Sequence, residues 1–115
     1  MLRGEIRLVD LDPARSGEAN KRRPGVLVSN DGANTTAAKL GRGVVTVVPI
    51  TTNVERVYPF QVLLPAQESG LDRQSKAQAE QVRFVSVERV TDRIGIVSPE
   101  FMLEIDEALR LHLAL

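Results

Sequence analysis

Val44-Val45-Thr46-Val47-Val48-Pro49-Ile50-Thr51 is the stretch on which the fold turns. Every residue but Pro49 is β-branched, and such side chains are stiff at χ1 and fit a pleated surface. A short apolar run without polar alternation reads as a strand buried on both faces. The strand is expected over 43–49, with the Thr51 hydroxyl held at the rim of its sheet. Gly25-Val26-Leu27-Val28 reads the same way, opening a buried strand over 24–29. Arg3-Gly4-Glu5-Ile6-Arg7-Leu8-Val9 alternates polar and apolar residues, as a strand with one wet face does.

Further short apolar runs at 59–64, 76–84 and 93–97 are divided by Gly, Pro, Asn and Asp, which gives a mostly β chain of short strands. Residues 30–40 read as a loop that tolerates helical turns, punctuated by Gly32 and Gly41. A short helical turn is expected near 87–90. The clearest helix lies at the C-terminus, where Ser98 is placed to cap it, Pro99 to begin it, and Glu100 to meet the positive end of its dipole. Met102, Ile105, Leu109 and Leu113 fall on one apolar stripe, which must cover a sheet or another chain. The fold class is therefore mostly β (α+β) with a C-terminal α-helix. Residues 1–115 show no repeat, linker or low-complexity tract, and are read as one domain.

Composition narrows the chemistry. There is no Cys and a single His, so a thiolate metal site, a disulfide and a His-rich metal cluster are excluded within one chain, and a reducing cytoplasmic compartment is expected. No cofactor is implied, because neither a phosphate-binding P-loop nor a dinucleotide fingerprint occurs. The first eleven residues lack the apolar stretch of a signal peptide, and no window reaches the ~18 apolar residues of a membrane span. Fifteen basic and fifteen acidic side chains cancel overall. Their distribution is uneven: residues 1–42 carry eight Lys or Arg against five Asp or Glu, and residues 99–115 carry one against four. A local cationic groove is compatible with that asymmetry.

Three polar segments could act together: Glu18 with Arg23-Pro24, Thr51-Thr52, and Glu80-Gln81. Pro24 fixes φ where Arg23 enters a buried strand, so the guanidinium is mounted on a rigid base. A guanidinium stays charged at working pH and grips two phosphate oxygens, which suits it to the charge of a pentacoordinate phosphorane. Taken alone, Lys21-Arg22-Arg23 is simply the basic end of a loop, and Thr51 a turn former after a strand. Glu18 and Glu80 are candidate bases, although an ordinary glutamate with a pKa of ~4.3 is feeble in that role. His112, late in the helix, is read as a structural or surface residue.

The order of motifs resembles the MazF/PemK-type toxin endoribonucleases. Arg3-Gly4-Glu5-Ile6, Val9-Asp10-Leu11-Asp12-Pro13, Gly17-Glu18 ahead of Arg23-Pro24, and Val28-Ser29-Asn30-Asp31 resemble the opening of that family. Pro49-Ile50-Thr51, Tyr58-Pro59-Phe60-Gln61-Val62, Glu80-Gln81-Val82-Arg83, Ile94-Gly95 and Asp106-Glu107-Ala108-Leu109 continue it in order over nearly the whole chain. The resemblance implies an SH3-like β-barrel with short helices and a C-terminal α-helix, a homodimer, and a cognate MazE-like antitoxin that covers the RNA-binding groove. It implies sequence-specific, metal-independent cleavage of single-stranded RNA, with Arg23 and Thr51 as the catalytic pair. Glu18 and Glu80 remain alternatives for the base. Gln78 stands where certain members have an arginine.

RNA supplies its own nucleophile in the 2′-hydroxyl, so the expected products are a 2′,3′-cyclic phosphate and a 5′-hydroxyl. The RNA-contacting residues expected are Lys21, Arg22, Thr52, Asn53, Tyr58, Gln78, Gln81 and Arg83. Tyr58 or Phe60 would offer a stacking face, although Phe60 is expected to flank a strand and pack inside. Two other readings compete: a non-enzymatic gyrase-inhibiting toxin of the same barrel type, and an SH3-like interaction module. The first relies on a C-terminal Trp, and this chain has none.

Overall fold

In the computed structural model, which describes residues 1–11 and 22–115, the run Val44–Thr51 is the central strand β3. Before it come β1 (Glu5–Asp10), β2 (Arg22–Leu27) and helix α1 (Asp31–Leu40). After it follow β4 (Gln61–Leu64), the single turn α2 (Ala66–Ser69), β5 (Ser75–Gln78), β6 (Arg83–Ser86), β7 (Val90–Ile96) and α3 (Pro99–Leu113). The strands pair antiparallel in the order β4-β5-β3-β2-β1-β7, and β6 joins β3 on the edge it shares with β5. This curled sheet with its C-terminal helix is the α+β architecture expected from the sequence.

β3 is apolar on both faces because each face meets a different core. Val45 and Val47 pack with Val9, Leu27, Val85 and Val87 on one side. Val48 and Ile50 pack with Ile6, Val26, Val62 and Leu64 on the other. Ala37 of α1 joins the first cluster, while Ile105 and Ala108 of α3 close the second. Burying such side chains is worth about 1.5–3 kcal/mol each, so the two clusters hold the sheet in its curl.

Among the described residues the sheet does not pair β4 with β7, and backbone packing takes the place of a closing ladder there. A Cβ on Gly95 would lie 1.9 Å from the Ser69 carbonyl oxygen, and one on Gly70 would lie 2.8 Å from that of Ile94. Only glycine lets the two main chains meet so closely.

Two expectations need correction. Residues 31–40 form a regular helix rather than a loop. Its apolar content is low, but Asn30 Oδ1 accepts from the Ala33 N–H at 2.8 Å and Gly41 ends it in the left-handed conformation at φ 67°. Asn34 is fully buried, donating to the Ser29 carbonyl at 2.9 Å and accepting from its hydroxyl at 2.5 Å, so capping and a buried polar contact supply what periodicity lacks. The expected strand over 76–84 is two strands, separated by a 3₁₀ turn at Ala79–Gln81. Between Val47↔Arg83 and Ile50↔Ala77 the partner chain takes six steps against three along β3, and the surplus residues form that turn.

Helix α3 begins as expected, with the Ser98 hydroxyl accepting from the Phe101 N–H at 3.4 Å. Ile105 and Ala108 are its buried residues, Met102 and Leu109 pack at the margin, and Leu113 at the end of the stripe stays 49% exposed. Arg3 ties the helix to the sheet, with Nη2 donating to Asp106 Oδ1 at 2.5 Å and Nε to the Val28 carbonyl at 2.8 Å. In β1, Glu5 is buried and accepts from Arg7 Nη2 at 2.8 Å. Burial pushes its carboxyl upward. The bond from Arg7, a backbone bond from Leu2 and the charges of Arg7 and the amino terminus outweigh that, and hold it below the ordinary value. No helix among the described residues is long and apolar enough to cross a membrane.

Candidate active site

Arg23 lies at the start of β2, opposite Val9 of β1, and is exposed. On its other side β2 pairs with β3 through Gly25↔Pro49, Val26↔Val48 and Leu27↔Val47. The ladder ends at Gly25↔Pro49, where β3 passes on to pair with β5 through Ile50↔Ala77 and Thr51↔Lys76, and the strand period of two assigns Arg23 and Thr51 to the Gly25–Pro49 face. A polar cavity of about 310 Å³ opens on that face, lined by Leu11, Arg23, Pro49, Gln78, Gln81 and Arg83. The 3₁₀ turn brings Gln81 and Arg83 there, and Gln78 ends β5 just before it.

The cavity carries two guanidinium groups and two carboxamides and no carboxylate among its described lining residues. Its field favours an anion, and its amides can both donate and accept. Thr51 ends β3 and is half-buried. Its Oγ1 accepts from the Asn53 N–H at 3.2 Å, and among the described residues its hydroxyl donates to no acceptor. Asn53 repeats the turn, its Oδ1 accepting from the Glu55 N–H at 3.3 Å. Farther along, Lys76, the β5 partner of Thr51, donates through Nζ to the Arg56 carbonyl at 2.5 Å. The segment 52–60 is thus tied at Arg56 to β5, the strand that pairs with the end of β3.

The remaining candidates divide. Arg22 is exposed opposite Asp10, one position from Arg23 and on the alternate face. Thr52 lines a different cavity of about 390 Å³ with Pro24, Ile50, Leu71 and Asp72, away from Arg23, as its odd spacing from Thr51 requires. Tyr58 is 44% exposed and stacks on Phe60 with ring centroids 5.3 Å apart and planes 6° from parallel. Phe60 is half-buried in that stack rather than packed inside the core. Glu18 and Lys21 lie outside the described residues.

Glu80 sits in the 3₁₀ turn beside α3, and does not line the Arg23 cavity. Its Oε2 accepts from Gln61 Nε2 at 2.6 Å, and its Oε1 is buried. Gln61 is the residue that sequence reading passed over. It is 8% exposed, and its Oε1 accepts in turn from the Tyr58 N–H at 3.1 Å. One glutamine within a strand carries no signal of such a role; its bonds to Glu80 and Tyr58 reveal it, and the pairing Gln61↔Gln78 places it across from a cavity residue.

A model of PemK-like, MazF-like toxins of type II toxin-antitoxin systems matches residues 2–113. The chain is 60% identical over 115 residues to a Mycobacterium tuberculosis protein named endoribonuclease MazF9, covering all of this chain and 98% of that one. It is 32% identical over 114 residues to the Bacillus subtilis endoribonuclease EndoA, covering 98% and 94%. A solved mycobacterial endoribonuclease in complex with its cognate antitoxin superposes with a TM-score of 0.77 at 27% identity, over 100% of this chain and 96% of the other. With the family model matching residues 2–113 and a relative 60% identical over all 115 residues, the chain belongs to the PemK-like, MazF-like toxins of type II toxin-antitoxin systems.

Proposed function

We propose that this chain is a sequence-specific, metal-independent endoribonuclease that cleaves single-stranded RNA, and that it is the toxin of a toxin-antitoxin pair. The observation that carries the reading is the cationic cavity that Arg23 and Arg83 line, in a chain 60% identical over 115 residues to a protein named endoribonuclease. Relatives bearing that name at 60% and 32% identity favour RNA cleavage over a gyrase-directed toxin or a plain interaction module.

In this reaction the ribose 2′-oxygen attacks the adjacent phosphorus while the bond from phosphorus to the 5′-oxygen breaks. The 2′-proton passes to a base, and the departing 5′-oxygen takes up a proton. The products are a 2′,3′-cyclic phosphate and a 5′-hydroxyl. Arg23 and the Thr51 hydroxyl hold the nonbridging oxygens as charge builds on them, which is where preorganised donors accelerate a reaction most. The substrate supplies the nucleophile and the guanidinium supplies positive charge, so no metal-activated water is called for. Of the two candidate carboxylates, Glu80 is engaged by Gln61 away from the cavity, which favours Glu18 as the base.

Arg22 and Arg83 would meet flanking phosphates, with Lys21 beside Arg22 in sequence, and Asn53, Gln78 and Gln81 would meet base or sugar edges. The protein acts as a homodimer in the cytoplasm and is silenced by a cognate MazE-like antitoxin, as the antitoxin complex of its structural neighbour suggests.

The test is digestion of a long mixed-sequence RNA by the purified protein, freed of any antitoxin and supplied with a chelator. Fragments should share a short sequence at their ends, and a folded Arg23→Ala variant should lose about 10²–10³ in rate. Intact RNA with the wild-type protein, or an unchanged rate with the variant, would overturn the proposal.

A further inference from the structure

The 3₁₀ turn at Ala79–Gln81 faces two ways. Gln81 enters the Arg23 cavity, while Glu80 turns to Gln61 and, through it, to the segment that carries the aromatic stack. Gln61 grips Tyr58 twice: its side-chain Oε1 accepts from the Tyr58 N–H at 3.1 Å, and its own N–H donates to the Tyr58 carbonyl at 2.9 Å. The orientation of the amide is forced. Turned over, its oxygen would face the Glu80 carboxylate and its NH₂ would face a backbone N–H. Only 8% of Gln61 reaches solvent, so water competes little for these bonds. Across the β4–β5 pair stands Gln78, itself a wall of the cavity.

The Tyr58 backbone is thus tied through Gln61 to the β4–β5 pair, whose Gln78 borders the cavity that Arg23 lines. A carboxylate one bond from that link has a use other than proton transfer: its oxygen, as an acceptor, holds the Gln61 amide in this orientation.

We propose that Glu80 and Gln61 are positioning residues, which set the Tyr58–Phe60 stack at a defined distance from Arg23 so that a base beside the cleaved linkage stacks on Tyr58. The inference rests on the RNA-cleaving reading above and names how that site receives its substrate. Stacking on an aromatic side chain is sequence-tolerant, so this contact would govern affinity and placement more than the identity of the base.

The chain contains one Tyr and no Trp, so its near-ultraviolet emission reports on Tyr58 directly. The experiment uses the full chain, a cleavable RNA oligonucleotide carrying the cut sequence, and its uncleavable 2′-O-methyl copy. Binding of the copy should quench Tyr58 in the wild type. Glu80→Ala should bind it roughly tenfold more weakly with reduced quenching, and on the cleavable RNA should raise KM by about tenfold with kcat within about threefold. Glu80→Gln keeps an oxygen for Gln61 to donate to, and should cleave within about threefold of wild type. That variant also preserves a test should Glu80→Ala fail to fold.

A Glu80→Gln protein that binds and quenches normally but loses about 100-fold in kcat would make Glu80 a proton acceptor and overturn the proposal. So would a Glu80→Ala protein that binds and quenches as the wild type does. A wild-type protein that neither binds nor cuts RNA would instead overturn the function on which the inference rests.

Discussion

Replacing Thr51 by Val separates what the hydroxyl does for the fold from what it does for the reaction. The two side chains have nearly the same shape and both are β-branched, so β3 keeps its strand preference and its pairing with Lys76. What is lost to the fold is one bond, from the Asn53 N–H at 3.2 Å, at a half-exposed turn where water can take over as acceptor. Such a bond contributes about 0.5–1 kcal/mol, equivalent to a fall of roughly 2–4 °C in Tm for a chain of this length. Under the proposed reaction the further loss is a donor to a phosphate oxygen in the transition state, about 10²-fold in kcat/KM, or about 2.7 kcal/mol. Thr51→Ser keeps the hydroxyl and should stay within a few fold of wild type by both measures. The assay pairs thermal melts with kcat/KM on a fluorogenic RNA oligonucleotide. A Thr51→Val protein that melts slightly early yet cleaves within threefold of wild type would show that this hydroxyl does not reach the reacting phosphate.

Two other perturbations test the frame. Ile105 is fully buried where α3 covers the core beneath the 3₁₀ turn, so Ile105→Ala should cost about 2–5 kcal/mol, read as a large drop in the denaturation midpoint. Leu103→Ala, at a position 66% exposed on the same helix, is the control; equal losses would refute the assigned packing. Glu5, whose folded carboxyl is held below its usual 4.5, stabilises the fold above that pH, and its contribution fades as the pH falls through the lower folded value. Glu5→Gln should therefore melt below wild type at neutral pH, with the gap closing on acidification; a gap that widens in acid would contradict the assignment.

Much of the frame was legible in the sequence because its signals are periodic or local. Ser98-Pro99 and the spacing of Met102, Ile105 and Leu109 announce α3, and the unbroken apolar run of β3 announces a strand with a core on each side. Leu113, in the last turn of α3, departs from the pattern by staying half exposed. Helix α1 was illegible because its stability comes from the Asn30 cap and the burial of Asn34, neither of which leaves a hydrophobic period. The break at 79–81 was hidden for a different reason. It arises from a mismatch in length between β3 and the chain that pairs with it, a property of two segments rather than one.

The site follows the same division. Arg23 and Thr51 could each be picked out by residue type, yet that they fall on the same face follows only from the β2–β3 pairing at Gly25↔Pro49. Thr52 was grouped with Thr51 by adjacency, although adjacent residues of a strand point to opposite faces, and it lines the other cavity. Gln61 acquires meaning only from its bonds to Glu80 and Tyr58.

The most direct measurement of the central claim is the fate of one RNA oligonucleotide carrying a single 2′-deoxy nucleotide at the cut position, set beside its all-ribose twin. Both are treated with the purified protein in chelator, and the products are weighed by mass spectrometry. Attack by the neighbouring 2′-oxygen, with Arg23 and Thr51 bearing the charge, predicts that the twin yields a 2′,3′-cyclic phosphate and a 5′-hydroxyl fragment while the deoxy strand stays whole at that position. Cleavage of the deoxy strand there, or a twin left uncut until a divalent metal is restored, would contradict it.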